Sequence, residues 1–191
     1  MRHRLKGLSD TELALLAKDG DSSAFEEIYD RHASGIARAL ASYAGPDRDI
    51  LDDLTQEVFF RVIDSLTSYV PSHPFPHWLY TIALNVGRNH IRRRSKVISV
   101  DPCELDSISS DQNRIGDWSE EIIEVTLIRL VTHLPDHMRE VVSLRIGSGM
   151  PYGEIAEVLG IPEGTARSRM HHAVRILREK VGVLISRREI Q

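Results

Sequence analysis

The sequence lacks several things, and each absence removes a class of function. It has a single cysteine, Cys103, so it can form neither an internal disulfide nor a thiolate zinc cluster. No stretch approaches the roughly 18 consecutive apolar residues of a membrane span. The N-terminal MRHRLKGLSD carries basic residues without the apolar core of a secretory signal. These absences together predict a cytoplasmic protein with no direct membrane insertion. There is no P-loop glycine pattern, no His-Glu-x-x-His and no nucleophile elbow, so neither catalysis nor a cofactor is expected. The nine histidines suggest no metal site, because His73 with His77 and His171 with His172 lack acidic or thiolate partners at ligand spacing. Aromatic residues make up only 6% of the chain, which makes their gathering at Tyr69, Phe75, Trp78 and Tyr80 informative.

What is present is helical periodicity and segregated charge. Ser9-Asp10-Thr11-Glu12 is a capping box at the start of a short helix. A longer helix begins after Asp21, with Phe25, Ile28, Tyr29, His32, Ile36, Leu40 and Tyr43 at core spacing, and Gly45-Pro46 ends it. His32 on that stripe reads as a packed, hydrogen-bonded residue. The next helix runs roughly from Arg48 to Leu66. It buries Leu51, Leu54, Val58 and Val62 and turns Asp53, Gln56, Glu57, Phe60 and Asp64 to other faces. Exposed acids are often only solvated, but Phe60 beside them suggests a protein-binding surface.

A loop with three prolines covers residues 68 to 77, and a helix is predicted from Trp78 to Arg94. Thr81, Asn85, Arg88, Asn89 and Arg92 recur on one face of it, and Arg92, Arg93, Arg94 and Lys96 close it as a basic cluster. Cations neutralise phosphate and aromatic faces stack on unpaired bases, so Tyr69, Phe75, Trp78, Tyr80, Asn85, Arg88, Arg92 and Arg93 are candidate ligands of single-stranded nucleic acid. The alternative is that the aromatics pack under the loop and the arginines complement a helix C-terminus.

Between 97 and 124 the chain carries Asp101, Glu104, Asp106, Asp111, Asp117, Glu120, Glu121 and Glu124 against one base, Arg114. It reads as a flexible acidic linker. A helix capped at Ser119 follows, its core face supplied by Ile123, Leu127, Leu130 and Leu134. A second helix after Pro135 carries Met138, Val141, Val142 and Leu144, and Gly147 and Gly149 end it. Then comes MPYGEIAEVLGIPEGTARSRMHH, from 150 to 172: a short helix, Gly160 as its stop, Ile161 as an apolar plug, Pro162, and a second helix. That is the helix-turn-helix pattern, which lays the N-terminal part of its second helix in the major groove. Glu163, Thr165, Arg167, Ser168, Arg169, His171 and His172 are the candidate base and phosphate contacts. The fold expected is all-α: two small helical domains, 1–96 and 119–191, joined by a linker at 97–118, the second ending in the helix-turn-helix.

AFEEIYDRH (24–32), DLTQEVFFRV (53–62) and WLYTIALNVGRNHIRRR (78–94), followed by LPDHMREVVSLR (134–145) and PYGEIAEVLGIPEGTARSRMHHAVRILRE (151–179), resemble regions 2 and 4 of the extracytoplasmic-function group of sigma factors of bacterial RNA polymerase, in the sigma-70 family. The overall sequence is similar to members of that group serving cobalt and nickel resistance. The resemblance implies a transcription initiation factor that binds the polymerase core, directs it to promoters with −35 and −10 elements and helps to melt the −10 region. Asp53, Gln56, Glu57 and Phe60 would dock on the β′ clamp helices, and the second domain would reach the β flap. The loop from Tyr69 and the helix through Arg93 would capture the opened −10 strand, and residues 163 to 172 would read the −35 duplex. It also implies an anti-sigma factor, anchored in the membrane, that holds the protein inactive until a stress signal. The chain departs from the group at Pro151, where serine is frequent, at Ala166 for valine, at His172 for arginine and at Leu84 for arginine. An autonomous helix-turn-helix regulator is the alternative, and it predicts tight DNA binding without polymerase.

Overall fold

The computed structural model describes residues 5–97 and 120–188. The acidic linker with Cys103 and the serine cap expected at Ser119 lie outside them. The described residues form eight α-helices: α1 (Asp10–Lys18), α2 (Ser22–Ala44), α3 (Arg48–Ser65), α4 (Phe75–Val97), α5 (Glu120–Thr132), α6 (Asp136–Val142), α7 (Tyr152–Leu159) and α8 (Glu163–Arg188). A short 3₁₀ turn, Leu66–Ser68, follows α3, and a π-helical turn, Ser143–Ser148, follows α6.

The starts of the first three helices are set by local chemistry. Ser9 accepts from the Glu12 amide while the Glu12 carboxylate accepts from the Ser9 amide at 2.7 Å, the reciprocal box that satisfies two orphan donors. Asp21 takes the amides of Ser23 and Ala24 at 2.9 and 3.1 Å, and Asp47 does the same for Asp49 and Ile50 at 3.0 and 3.2 Å. His32 is the satisfied residue expected of it. Its Nε2 lies 2.9 Å from Asp10, and this hydrogen bond is the main reason the Asp10 carboxyl is held below its ordinary range. Arg31 fastens the start of the chain, donating to the carbonyls of Leu5, Lys6 and Leu8.

Two elements differ from the sequence expectation. Helix α4 begins at Phe75, three residues before Trp78. Pro76 falls in its first turn, where a missing N–H costs nothing and the fixed φ suits the helix. The helix after Pro135 ends at Gly149, at φ 74°, as expected, but Gly147 does not stop it: the last six residues widen into the π turn. A single π turn changes the hydrogen-bond step to i→i+5, and apolar periodicity carries no trace of it.

The two helical groups share one continuous core. Ile28, Ile36, Leu40, Val58, Phe75 and Leu79 of α2–α4 cluster with Val141, Leu144, Ile155 and Ala166 of the later helices. The closest approach is between α2 and the π turn. A Cβ on Gly147 would lie 2.5 Å from the backbone nitrogen of Ala39, so only glycine allows this fit. A smaller core, Leu134, Val142 and Ala173 with Met138, Ile176 and Leu177 packed on it, ties α5 and α6 to α8.

The turn of the helix-turn-helix is closed by Gly160 at φ 63°, ψ 39°. The Ile161 amide reaches back to the Ala156 carbonyl at 3.0 Å, which satisfies a carbonyl left over at the end of α7. Ala156 and Ala166 are both buried where the two helices meet. Gly160→Ala has no steric obstacle nearby but must hold a left-handed conformation. It should cost about 1 kcal/mol, read as a lower urea midpoint at unchanged slope.

Candidate nucleic-acid and polymerase interfaces

On the outward side of α8, Arg167, Ser168, His171 and His172 are exposed, as are Glu163 and Gly164 at its N-terminus; Thr165 and Arg169 are half-buried. All seven candidate residues therefore lie on the first three turns of one helix. Arg167 is aimed by two neighbours. Its Nη2 donates to Glu163 at 2.5 Å, and its guanidinium lies 4.8 Å from the centroid of the Tyr152 ring. Arg145 lies over the same ring at 5.2 Å. Tyr152, Arg167, Met170, His171, Arg175 and Arg178 line an open groove of about 670 Å³ beside the helix. This role of Tyr152 could not be read from spacing, because a cation–π contact across a turn leaves no periodic signal. Removing the ring with Tyr152→Leu should weaken duplex binding by about two- to fivefold, the worth of an exposed cation–π pair. Tyr152→Phe should bind as wild type. The check is fluorescence anisotropy of a labelled DNA duplex.

The exposed face of α4 carries Asn85, Arg88, Arg92, Arg93 and Arg94. Arg88 donates to Asn85 at 2.9 Å and Arg92 to Asn89 at 3.0 Å. Arg88 also reaches Glu140 of α6, Nε to Oε1, at 2.7 Å. Burial alone would lower the Arg88 pKa, but the Glu140 carboxylate outweighs it and raises it. The four aromatic candidates are placed differently from one another. Tyr69 and Phe75 are fully buried and pack with half-buried Trp78, ring centroids 5.2 to 5.5 Å apart. Tyr80 is buried as well, and that burial raises its phenol pKa. Of the four, only Trp78 keeps partial exposure.

On α3, Asp53, Gln56 and Phe60 are exposed and Glu57 is half-buried, paired with Arg61 at 2.6 Å. Phe60 is 65% exposed and Ile63, one turn on, is 51% exposed. Tyr29 of α2 does not enter the core as its place on the stripe suggested. It is 44% exposed and leans on Phe59, centroids 4.6 Å apart. Phe60, Ile63 and Tyr29 thus add exposed apolar surface beside the acids. Ile123 and Leu127 of α5 are likewise 40% and 42% exposed, while Leu130 and Leu134 of the same stripe are buried.

Two family models match, "Sigma-70 region 2" over residues 28–97 and "Sigma-70, region 4" over 124–177. The ECF RNA polymerase sigma-E factor of Escherichia coli K12 is 32% identical over 192 residues, covering 94% of this chain and 98% of its own. The chain belongs to the extracytoplasmic-function sigma factors of bacterial RNA polymerase. Within that family it is similar in structure to CnrH in complex with the cytosolic domain of CnrY. The TM-score is 0.68 at 26% identity, with 91% of this chain and 97% of that one covered. The sigma factor RpoE of Bartonella quintana, solved with the anti-sigma factor NepR, shares the fold at TM-score 0.56 and 20% identity, over 83% of this chain and 98% of that one. Region 2 of this sigma factor holds the α3 and α4 faces, and region 4 holds the helix-turn-helix. Among the described residues no helix is long and apolar enough to cross a membrane, and no group of three or more His, Cys, Asp or Glu side chains could hold a metal ion.

Proposed function

We propose that this sigma factor binds the core polymerase through the α3 face, with Asp53, Gln56, Glu57 and Phe60 against the β′ clamp helices. Region 4 meets the β flap through the exposed apolar side of α5. It reads a −35 element in duplex form with Glu163, Thr165, Arg167, Ser168, Arg169, His171 and His172. It captures the opened −10 strand with Trp78, Asn85, Arg88, Arg92 and Arg93, while Tyr69, Phe75 and Tyr80 support that surface from beneath. Residues 1–96 and 119–191 act as the two DNA-binding domains and 97–118 as their tether. Melting needs no chemistry from this chain: binding the open strand more tightly than the duplex shifts the equilibrium. The protein is a cytoplasmic regulator and not an enzyme.

The observation that carries this reading is the exposure of two cationic helix faces in one chain, Arg88 to Arg94 on α4 and Arg167 to His172 on α8. Phosphate contacts fix register and base-edge contacts give specificity, and both kinds of side chain are present. Its similarity to CnrH, solved with a partner's cytosolic domain, supports an anti-sigma factor as the physiological partner. We assign that partner a membrane anchor, with metal stress as the first signal to test. Run-off transcription with core polymerase and sheared genomic DNA, followed by sequencing of RNA 5′ ends, tests the function. Starts that share a two-part upstream motif and depend on this chain are expected. Starts with no common motif contradict it.

A further inference from the structure

The loop between α3 and α4 is fixed from behind by α1. Tyr69 closes the 3₁₀ turn, its amide donating to the Leu66 carbonyl at 3.0 Å. Its backbone then turns extended, at φ −62°, ψ 127°, so its own carbonyl falls outside any helical ladder. Lys18, the last residue of α1, supplies a donor: its Nζ reaches that carbonyl at 3.0 Å. The Tyr69 ring turns inward, and its hydroxyl donates to the His73 carbonyl at 3.2 Å, which closes the loop on itself. Val70 to Pro74 stay exposed. Helix α1 can act as a support because it is itself held. Leu13 and Ala14 are fully buried. In its first turn the Asp10 carboxylate takes Arg31 Nη1 at 3.0 Å and lies 2.9 Å from His32 Nε2. The same His32 ring meets the Phe75 ring edge-on, centroids 6.5 Å apart, at the far end of the loop.

We propose that α1 braces the strand-capturing loop and that Lys18 is a positioning residue for −10 recognition. By holding the Tyr69 carbonyl, Lys18 sets the direction in which residues 70 to 74 leave the core, and so the surface they offer beside Trp78 to an unpaired base. The proposal rests on the reading of this loop and α4 as ligands of the opened −10 strand. Lys18 itself touches no DNA; it acts through Tyr69. An ammonium-to-carbonyl bond is charge-assisted, which suits it to pinning one backbone point. A loop held in one path does not refit around a wrong base, so its pre-organisation appears as discrimination between bases as well as affinity. Lys18 also lies in the last turn of α1, where a cation complements the helix dipole. That effect would stabilise the fold and leave base choice alone, so the two roles separate experimentally.

The test uses the full-length chain with core polymerase on sheared genomic DNA, with RNA 5′ ends sequenced for wild type, Lys18→Met, Lys18→Arg and Asn85→Ala. The quantity read is the ratio of preferred to other bases at the most selective −10 position, with the −35 motif as internal control. Lys18→Met keeps the length of the stem and removes the donor. It should flatten the −10 preference about two- to tenfold, the worth of one hydrogen bond, with the −35 preference and the urea midpoint unchanged. Lys18→Arg keeps a cationic donor and should restore most of the preference. An intact −10 preference in Lys18→Met overturns the proposal, and so does a Lys18→Arg protein no better than Lys18→Met. Asn85→Ala changes the exposed capture face itself and identifies the premise at fault. A preference that falls with Asn85→Ala but not with Lys18→Met condemns the brace alone, whereas a preference indifferent to both condemns the reading of this surface as the −10 ligand.

Discussion

Arg167→Ala should reduce holoenzyme affinity for promoters with an intact −35 element by about 5- to 150-fold, while leaving assembly with core polymerase unchanged. The magnitude follows from the roughly 1–3 kcal/mol of discrimination that a bidentate base contact supplies. The structure gives Arg167 what such a contact requires. It sits one turn inside α8 with its side chain 62% exposed, and Glu163 and the Tyr152 ring hold the guanidinium in place before DNA arrives. Pre-positioning limits the entropy lost on binding. The loss should be specific. Promoters with a scrambled −35 element should be used equally by both proteins, and a melting curve should not move, because the removed atoms lie outside the core. An equal loss of core binding would refute the groove assignment. His172 is the position to compare next. Arginine carries a permanent charge and a fork of donors suited to phosphate, so His172→Arg should raise affinity with little change in base preference.

Phe60→Ala should weaken binding to core polymerase by about 30-fold, the effect of an interface anchor worth about 2 kcal/mol. The residue is 65% exposed, so the variant's stability in urea should match wild type. Isothermal titration of the variant with core polymerase reads the first quantity, and denaturation reads the second. Asp53→Asn should instead act mainly on the association rate and its salt dependence, as rim charges do. A Phe60→Ala protein that binds core normally would remove the α3 face from the polymerase interface.

The parts of this fold that could be read from sequence were those set by a few adjacent residues. Ser9 with Glu12, Asp21 and Asp47 start helices by taking backbone amides within three residues, and Gly160-Ile161-Pro162 makes the turn of the helix-turn-helix. The candidates Glu163, Arg167 and His171 of α8 and Asn85, Arg88 and Arg92 of α4 share an exposed face for the same reason, since helical spacing alone puts each set on one side. What sequence could not supply was which surface covers which. Tyr43 reads as part of an ordinary core stripe, and nothing in its spacing says that Arg139 lies over its ring. Tyr29 shares that ambiguity: the stripe predicts burial, but the residue sits at the edge of the core, leaning on Phe59. The π turn and the fit of Gly147 on Ala39 are tertiary facts with no local signature, and Glu140 against Arg88 becomes visible only once the halves are docked.

DNA recognition by this chain is expected to belong to the holoenzyme and not to the chain alone. A gel-shift of one promoter fragment, with this chain alone and with this chain plus core polymerase, tests it most directly. The isolated chain should give no specific shift at physiological salt, and a specific, competitor-resistant shift should appear once core is added. Tight, specific binding by the isolated chain would contradict it and favour an autonomous helix-turn-helix regulator.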